Sequence, residues 1–202
     1  MSDFYYTTNP NSKHDEKQIN FDIFNHKFFF TTDNGVFSKR TIDFGSSLLI
    51  KNVDLVNLPE GPILDLGCGY GPVGIILGHE FPNRYFHMTD VNNRALELAN
   101  KNSKLNNVEN VTIYNSSVYD SIDNKFAGII TNPPVRAGKK IVSEMIGNAY
   151  DYLLDNGFLF VVLQKKQGAP SAQKLMLEKF GNAEIVKKDK GYYILKSKKI
   201  GE

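Results

Sequence analysis

From Gly61 onward, short apolar runs alternate with stretches whose apolar positions recur at helical spacing, a pattern that predicts strands joined by crossover helices. Strands are expected at Ile63–Leu66, Tyr85–Thr89, Val111–Tyr114, Phe126–Thr131 and Phe158–Leu163. Helices are expected at about Pro72–Glu80, Arg94–Asn106, Lys140–Leu154 and Ala172–Phe180. Two closing runs, Glu184–Lys188 and Tyr192–Lys196, are separated only by Asp189-Lys190-Gly191 and should pair as an antiparallel hairpin. The pattern therefore predicts an α/β fold with a mostly parallel, seven-stranded sheet and an antiparallel C-terminal edge. Residues 1–60 differ: Phe21, Ile23, Phe28 and Phe30 partly alternate with polar residues, and Asp33-Asn34-Gly35 is a turn signal. They predict a small β-rich cap, followed by a helix that Asp43 caps and that runs to about Val56. Pro59-Glu60-Gly61-Pro62 marks the boundary, giving a cap with lead-in helix at 1–60 and a main domain at 61–202, the former packed on the latter as a lid or platform.

Composition narrows the class. A chain of 202 residues, 41% hydrophobic, is long enough for one well-cored domain. No apolar run approaches the roughly 20 residues that span a bilayer, and the opening Met1-Ser2-Asp3-Phe4-Tyr5 lacks the basic-then-apolar order of a signal peptide, so a soluble cytoplasmic protein is expected. Cys68 is the only cysteine, which excludes an internal disulfide and a cysteine-based zinc site, and the four histidines show no metal-ligand spacing. Net charge is only +2, yet residues 1–132 hold 11 Lys/Arg against 15 Asp/Glu, whereas 133–202 hold 13 against 7. That asymmetry suits a polyanion approaching one side, and equally a set of solvated lysines.

Two stretches carry chemistry. The first is Asp65-Leu66-Gly67-Cys68-Gly69-Tyr70-Gly71, a glycine turn between a strand and a helix, where Gly67, Gly69 and Gly71 allow a tight turn and close approach of a ligand. Asp90, ending the next strand, can accept hydrogen bonds from both hydroxyls of a ribose. The spacing differs from that of dinucleotide sites, Pro72 removes one N–H from the helix start, and Asp65 would repel a phosphate. Asp65 suits a cationic group such as the α-ammonium of S-adenosylmethionine; its alternative role is to cap the turn. The second stretch is Asn132-Pro133-Pro134-Val135, after the fourth strand. The Asn132 side-chain oxygen and the Pro133 carbonyl can accept the two N–H groups of a planar amine, favouring a pyramidal nitrogen with a free lone pair. Pro133 and Pro134 stiffen the peptide that presents them. Read alone, Asn-Pro-Pro could simply terminate a strand; beside the loop and Asp90 it points to methyl transfer onto nitrogen.

With these motifs the chain resembles class I S-adenosylmethionine-dependent methyltransferases of the methyltransferase small domain family. Within it, the chain is most similar to the 16S ribosomal RNA guanine-N2 methyltransferases typified by RsmC, in the short single-domain form of Gram-positive bacteria. The resemblance runs through Phe4-Tyr5-Tyr6, Thr32 to Lys39, Asp43-Phe44-Gly45-Ser46, Ile63 to Pro72, Asn132 to Lys139 and Gln164 to Ala169. It implies a Rossmann-like domain with S-adenosylmethionine as cofactor, held by Asp65, Gly67, Gly69, Gly71 and Asp90, and a target amine held by Asn132 and Pro133. Two positions depart from the wider pattern. Val135 stands where many amino-methylating enzymes place a base-stacking aromatic, which leaves Phe37 as a stacking candidate or a core residue. Ser117, after the third strand, stands where an acidic residue usually meets the adenine amine. Arg136, Lys139, Lys165 and Lys166 follow strand ends on the ligand-binding edge and are expected to meet phosphates of 16S rRNA or the small ribosomal subunit. Adenine N6, a protein glutamine amide and a noncatalytic RNA-binding role in ribosome assembly remain alternatives.

Overall fold

The computed structural model describes residues 6–201. Met1 to Tyr5, which include two of the aromatics quoted above, lie outside the described residues. The chain runs β1 (Lys17–Ile23), β2 (His26–Thr32), α1 (Phe44–Asn52), β3 (Ile63–Leu66), α2 (Pro72–Glu80), β4 (Phe86–Asp90), α3 (Asn93–Leu105), β5 (Val111–Asn115), β6 (Phe126–Thr131), α4 (Lys139–Gly147), α5 (Ala149–Tyr152), β7 (Leu153–Gln164), α6 (Ala169–Phe180), β8 (Glu184–Asp189) and β9 (Tyr192–Lys198). Single 3-10 turns occupy Val135–Ala137 and Lys165–Gln167.

The strands from β3 to β9 form one seven-stranded sheet in the order β5-β4-β3-β6-β7-β9-β8. Pairings from β5 through β7 are parallel, while β9 is antiparallel to both β7 and β8. Every residue of β3 and β6 is buried, as expected of central parallel strands covered on both faces. One core cluster joins residues of α1, α2 and α3 to one side of the sheet; the other joins α4, α5 and α6 to the opposite side. From β3 the chain moves outward through β4 and β5, then returns to β6 on the other flank of β3. That reversal opens a crevice at the carboxyl ends of β3 and β6. Thr131 Oγ1 donates to the Leu66 carbonyl at 2.8 Å and ties those two ends together.

β1 and β2 form a separate antiparallel hairpin. Its turn is Phe24-Asn25, both at positive φ (53° and 60°), and the Asp33-Asn34-Gly35 turn follows β2. The hairpin is sewn to α3 by two asparagines one helical turn apart. Asn102 accepts from Thr31 N (2.6 Å) and donates to Thr31 O (3.0 Å), while Asn106 accepts from Phe29 N (2.9 Å) and donates to Phe29 O (2.7 Å). Each side-chain amide thus takes the place of a neighbouring strand residue.

Two helices end or break earlier than the sequence predicts. α1 ends at Asn52, four residues before Val56, because Val53 is extended and Asp54 accepts from the Val56 and Asn57 amides in a turn of its own. The helix expected to reach Leu154 breaks at Asn148, and β7 begins at Leu153. Leu153 pairs with Phe126 and Phe158 with Gly128, so the residues between form a bulge in which Asn156 sits at φ 64°. A Cβ at Gly157 would lie 2.8 Å from the Leu154 carbonyl, so the Asn156-Gly157 pair is what lets the strand absorb that bulge.

Candidate active site

A cavity of about 710 Å3 occupies the crevice. This is within the range of small-molecule sites, roughly 300–1,000 Å3. Its floor is the turn after β3. Gly67 N and Cys68 N donate to the Thr89 carbonyl at 2.8 Å, which pins the turn to β4. Gly67 and Gly69 adopt φ 78° and 56°, and a Cβ at Gly69 would meet nothing within 4 Å, so backbone faces open space there. Asp90, at the tip of β4, accepts from Gly69 N through Oδ2 and from Asn92 N through Oδ1, both at 2.9 Å. Burial raises its pKa against those two hydrogen bonds. Asp65 is 2% exposed and accepts from Gly74 N at 2.8 Å; burial, opposed by that bond and reinforced by Asp90, raises its pKa to about 7. Burial likewise pushes the Cys68 thiol up, so it is held as a neutral small side chain.

Across the crevice, Asn132 stands at the end of β6 and Pro133 is buried beneath it. The Asn132 Nδ2 donates to Ser46 Oγ at 3.0 Å and faces both Asp43 oxygens at 3.3 and 3.4 Å. A carboxylate only accepts hydrogen bonds, so this contact sets which end of the amide is the NH2. Oδ1 is left as the available acceptor. Asp43 is also the N-cap of α1, accepting from Ser46 N at 3.1 Å.

A methyltransferase small domain model matches residues 27–196. The chain belongs to the methyltransferase small domain family. It is 47% identical to the uncharacterized protein YbxB of Bacillus subtilis (strain 168), over 99% of this chain and all of that one. It is 35% identical to ribosomal RNA small subunit methyltransferase C of Haemophilus influenzae (strain 86-028NP), over 75% of this chain and 46% of that enzyme. Among solved structures it is similar to the T. thermophilus 16S rRNA N2 methyltransferase RsmC in complex with AdoMet and guanosine, with a TM-score of 0.82 at 22% identity, covering 94% of this chain and 52% of that one. The chain therefore spans about half the length of these two enzymes.

In this family member the cavity brings together Asp65, Gly67, Gly69, Asp90, Ser117, Phe37, Asn132, Pro133, Pro134, Val135 and Arg136. Gly71 is not among the lining residues: its Cβ would collide with Ile75 and Met88, so glycine there serves the turn and helix packing, at φ 98°. Lys139, Lys165 and Lys166 are exposed and lie outside the lining; Ala137, Gln164 and Gln167 line it beside them. Lys165 N donates to Gly191 O at 2.8 Å, which fixes this basic turn to the β8–β9 hairpin. Phe37 is 42% exposed, whereas Val135 packs partly into the core cluster of α4–α6. Sequence reasoning assigned no site role to Asp43, Ser46 or Tyr192, all of which line the cavity. Asp43 was legible as a helix cap; only the fold carries it to Asn132. A Cβ at Gly45 would lie 2.9 Å from the Tyr192 ring and 3.0 Å from Asp43 Oδ1, so this close approach requires glycine. Among the described residues, no group of three or more His, Cys, Asp and Glu is placed to hold a metal ion, and no helix is long and apolar enough to cross a membrane.

Proposed function

We propose that this methyltransferase uses S-adenosylmethionine to methylate the exocyclic N2 of a guanine in 16S ribosomal RNA. The observation that carries this reading is the Asn132 amide, fixed at the strand tip with its donor end bound and its acceptor end available, in one cavity with Asp65, Gly69 and Asp90. The donor set fits the cofactor: open space over Gly69, a carboxylate at the tip of β4 for a ribose diol, and the buried Asp65 in place of a phosphate cradle. Asp65 and the carboxylate of Asp90, with the backbone at Gly67 and Gly69, hold it, and Ser117 offers a hydroxyl to its adenine. When bound, S-adenosylmethionine supplies a methyl group already activated by its sulfonium.

The protein's remaining work is alignment and electrostatics. Asn132 Oδ1 and the Pro133 carbonyl accept the two amine hydrogens and favour a pyramidal nitrogen. Phe37 stacks on the flipped base in place of the aromatic absent at Val135. Arg136, Lys139, Lys165 and Lys166 meet phosphates flanking the base, on the naked RNA or the small ribosomal subunit. A cytoplasmic setting follows from such a substrate.

Asn132→Ala tests the reading. Methyl transfer to 16S rRNA should fall at least ~100-fold, as when a group aimed at the reacting atoms is removed, while the calorimetric affinity for S-adenosylmethionine stays unchanged. Full activity in this variant would contradict the mechanism.

A further inference from the structure

A primary amide is nearly isosteric about its C–C axis, and nothing intrinsic to Asn132 selects which end faces a substrate. Turned over, it would present N–H to N–H and repel the amine it is meant to hold. The selection is made by α1. Asp43 offers two oxygens that only accept, and Ser46 Oγ accepts a third contact, all on Nδ2. Asp43 is itself held, because its Oδ1 caps Ser46 N and its helix is anchored by Leu48, Leu49 and Ile50, all buried. A negative charge behind the NH2 end also polarises the amide and makes Oδ1 a stronger acceptor. That strengthening matters most as positive charge grows on the amine nitrogen during transfer.

We propose that Asp43, assisted by Ser46, is a positioning residue of the transfer site, which orients and polarises the Asn132 amide and so links the first helix to catalysis. This rests on the role given to Asn132 above. It differs from a capping role in a way that substitution separates. Asn and Ser cap helices about as well as Asp. Asp43→Asn therefore keeps the cap and the reach but loses the charge and one acceptor. Asp43→Ser keeps the cap, but its side chain is one bond shorter and falls away from Asn132.

With 16S rRNA and labelled S-adenosylmethionine, kcat should drop about tenfold in Asp43→Asn and about 100-fold in Asp43→Ser/Ser46→Ala, the range seen when groups that orient a ligand are removed. KM for RNA, cofactor affinity and Tm should be nearly unchanged. A second readout needs no RNA: the 15N side-chain amide signals of Asn132, assigned by their loss in Asn132→Ala, should move to solvent-exposed shifts in Asp43→Ser/Ser46→Ala. Unchanged kcat in both variants, or unmoved Asn132 signals, overturns the proposal. Full activity of Asn132→Ala instead sinks the functional reading itself. If the wild type methylates no 16S rRNA, that choice of substrate fails, and the amide signals alone decide whether Asp43 orients Asn132.

Discussion

At the scale of single residues, Asp65 carries the clearest physical consequence. Its carboxyl is buried against the start of α2 and titrates near 7, against an ordinary value of 3.8. Between those values the folded protein holds a proton that the unfolded chain has released. Stability therefore falls as pH rises through that window and stays at its lower level above it. Asp65→Asn, which can still accept from Gly74 N, should melt higher than the wild type at about pH 8, with the gap closing towards about pH 5. A gap that does not change with pH would show that Asp65 titrates normally. Asp65, Asp90 and Asn132 could be placed on one edge from the sequence because each lies at or beside the carboxyl end of a strand, so element assignment fixes where they emerge. Asp43 could not, because its partnership with Asn132 spans nearly half the chain. Gly71 illustrates a related point: a glycine loop shows that backbone must turn, and only packing shows which α-carbon borders the cavity and which faces Met88.

At the scale of elements, the strand and helix order was readable from alternating apolar runs, and the C-terminal hairpin from its short turn. What periodicity could not show is how the β1–β2 hairpin is held. Asn102 and Asn106 look like ordinary polar positions near a helix end, yet each satisfies both backbone groups of a strand residue. Asn102 also donates to Tyr70 O at 2.9 Å, joining the hairpin, α3 and the glycine turn. Asn102→Ala should cost about 2–3 kcal/mol, since it orphans buried backbone groups, and should speed amide exchange at Thr31. A urea midpoint equal to the wild type would contradict this latching. The broken helix at Asn148 was missed because Leu153 and Leu154 suit a helix end as well as a buried strand, and only pairing with Phe126 decides between them.

At the scale of the molecule, the sheet order puts the ends of β3, β4 and β6 on one crevice, and basic turns border it. The charge asymmetry along the chain acquires a geometry: Arg136 enters the cavity lining, and exposed Lys139, Lys165 and Lys166 lie in the turns that border it. The chain matches only part of the longer ribosomal RNA methyltransferases, so the assignment of guanine N2 must be earned by this protein itself. The decisive measurement is to incubate it with methyl-labelled S-adenosylmethionine and small ribosomal subunits or 16S rRNA from cells lacking its gene, then digest the RNA and identify the labelled nucleoside. The account predicts N2-methylguanosine. Label in N6-methyladenosine, or none in RNA despite bound cofactor, would contradict it.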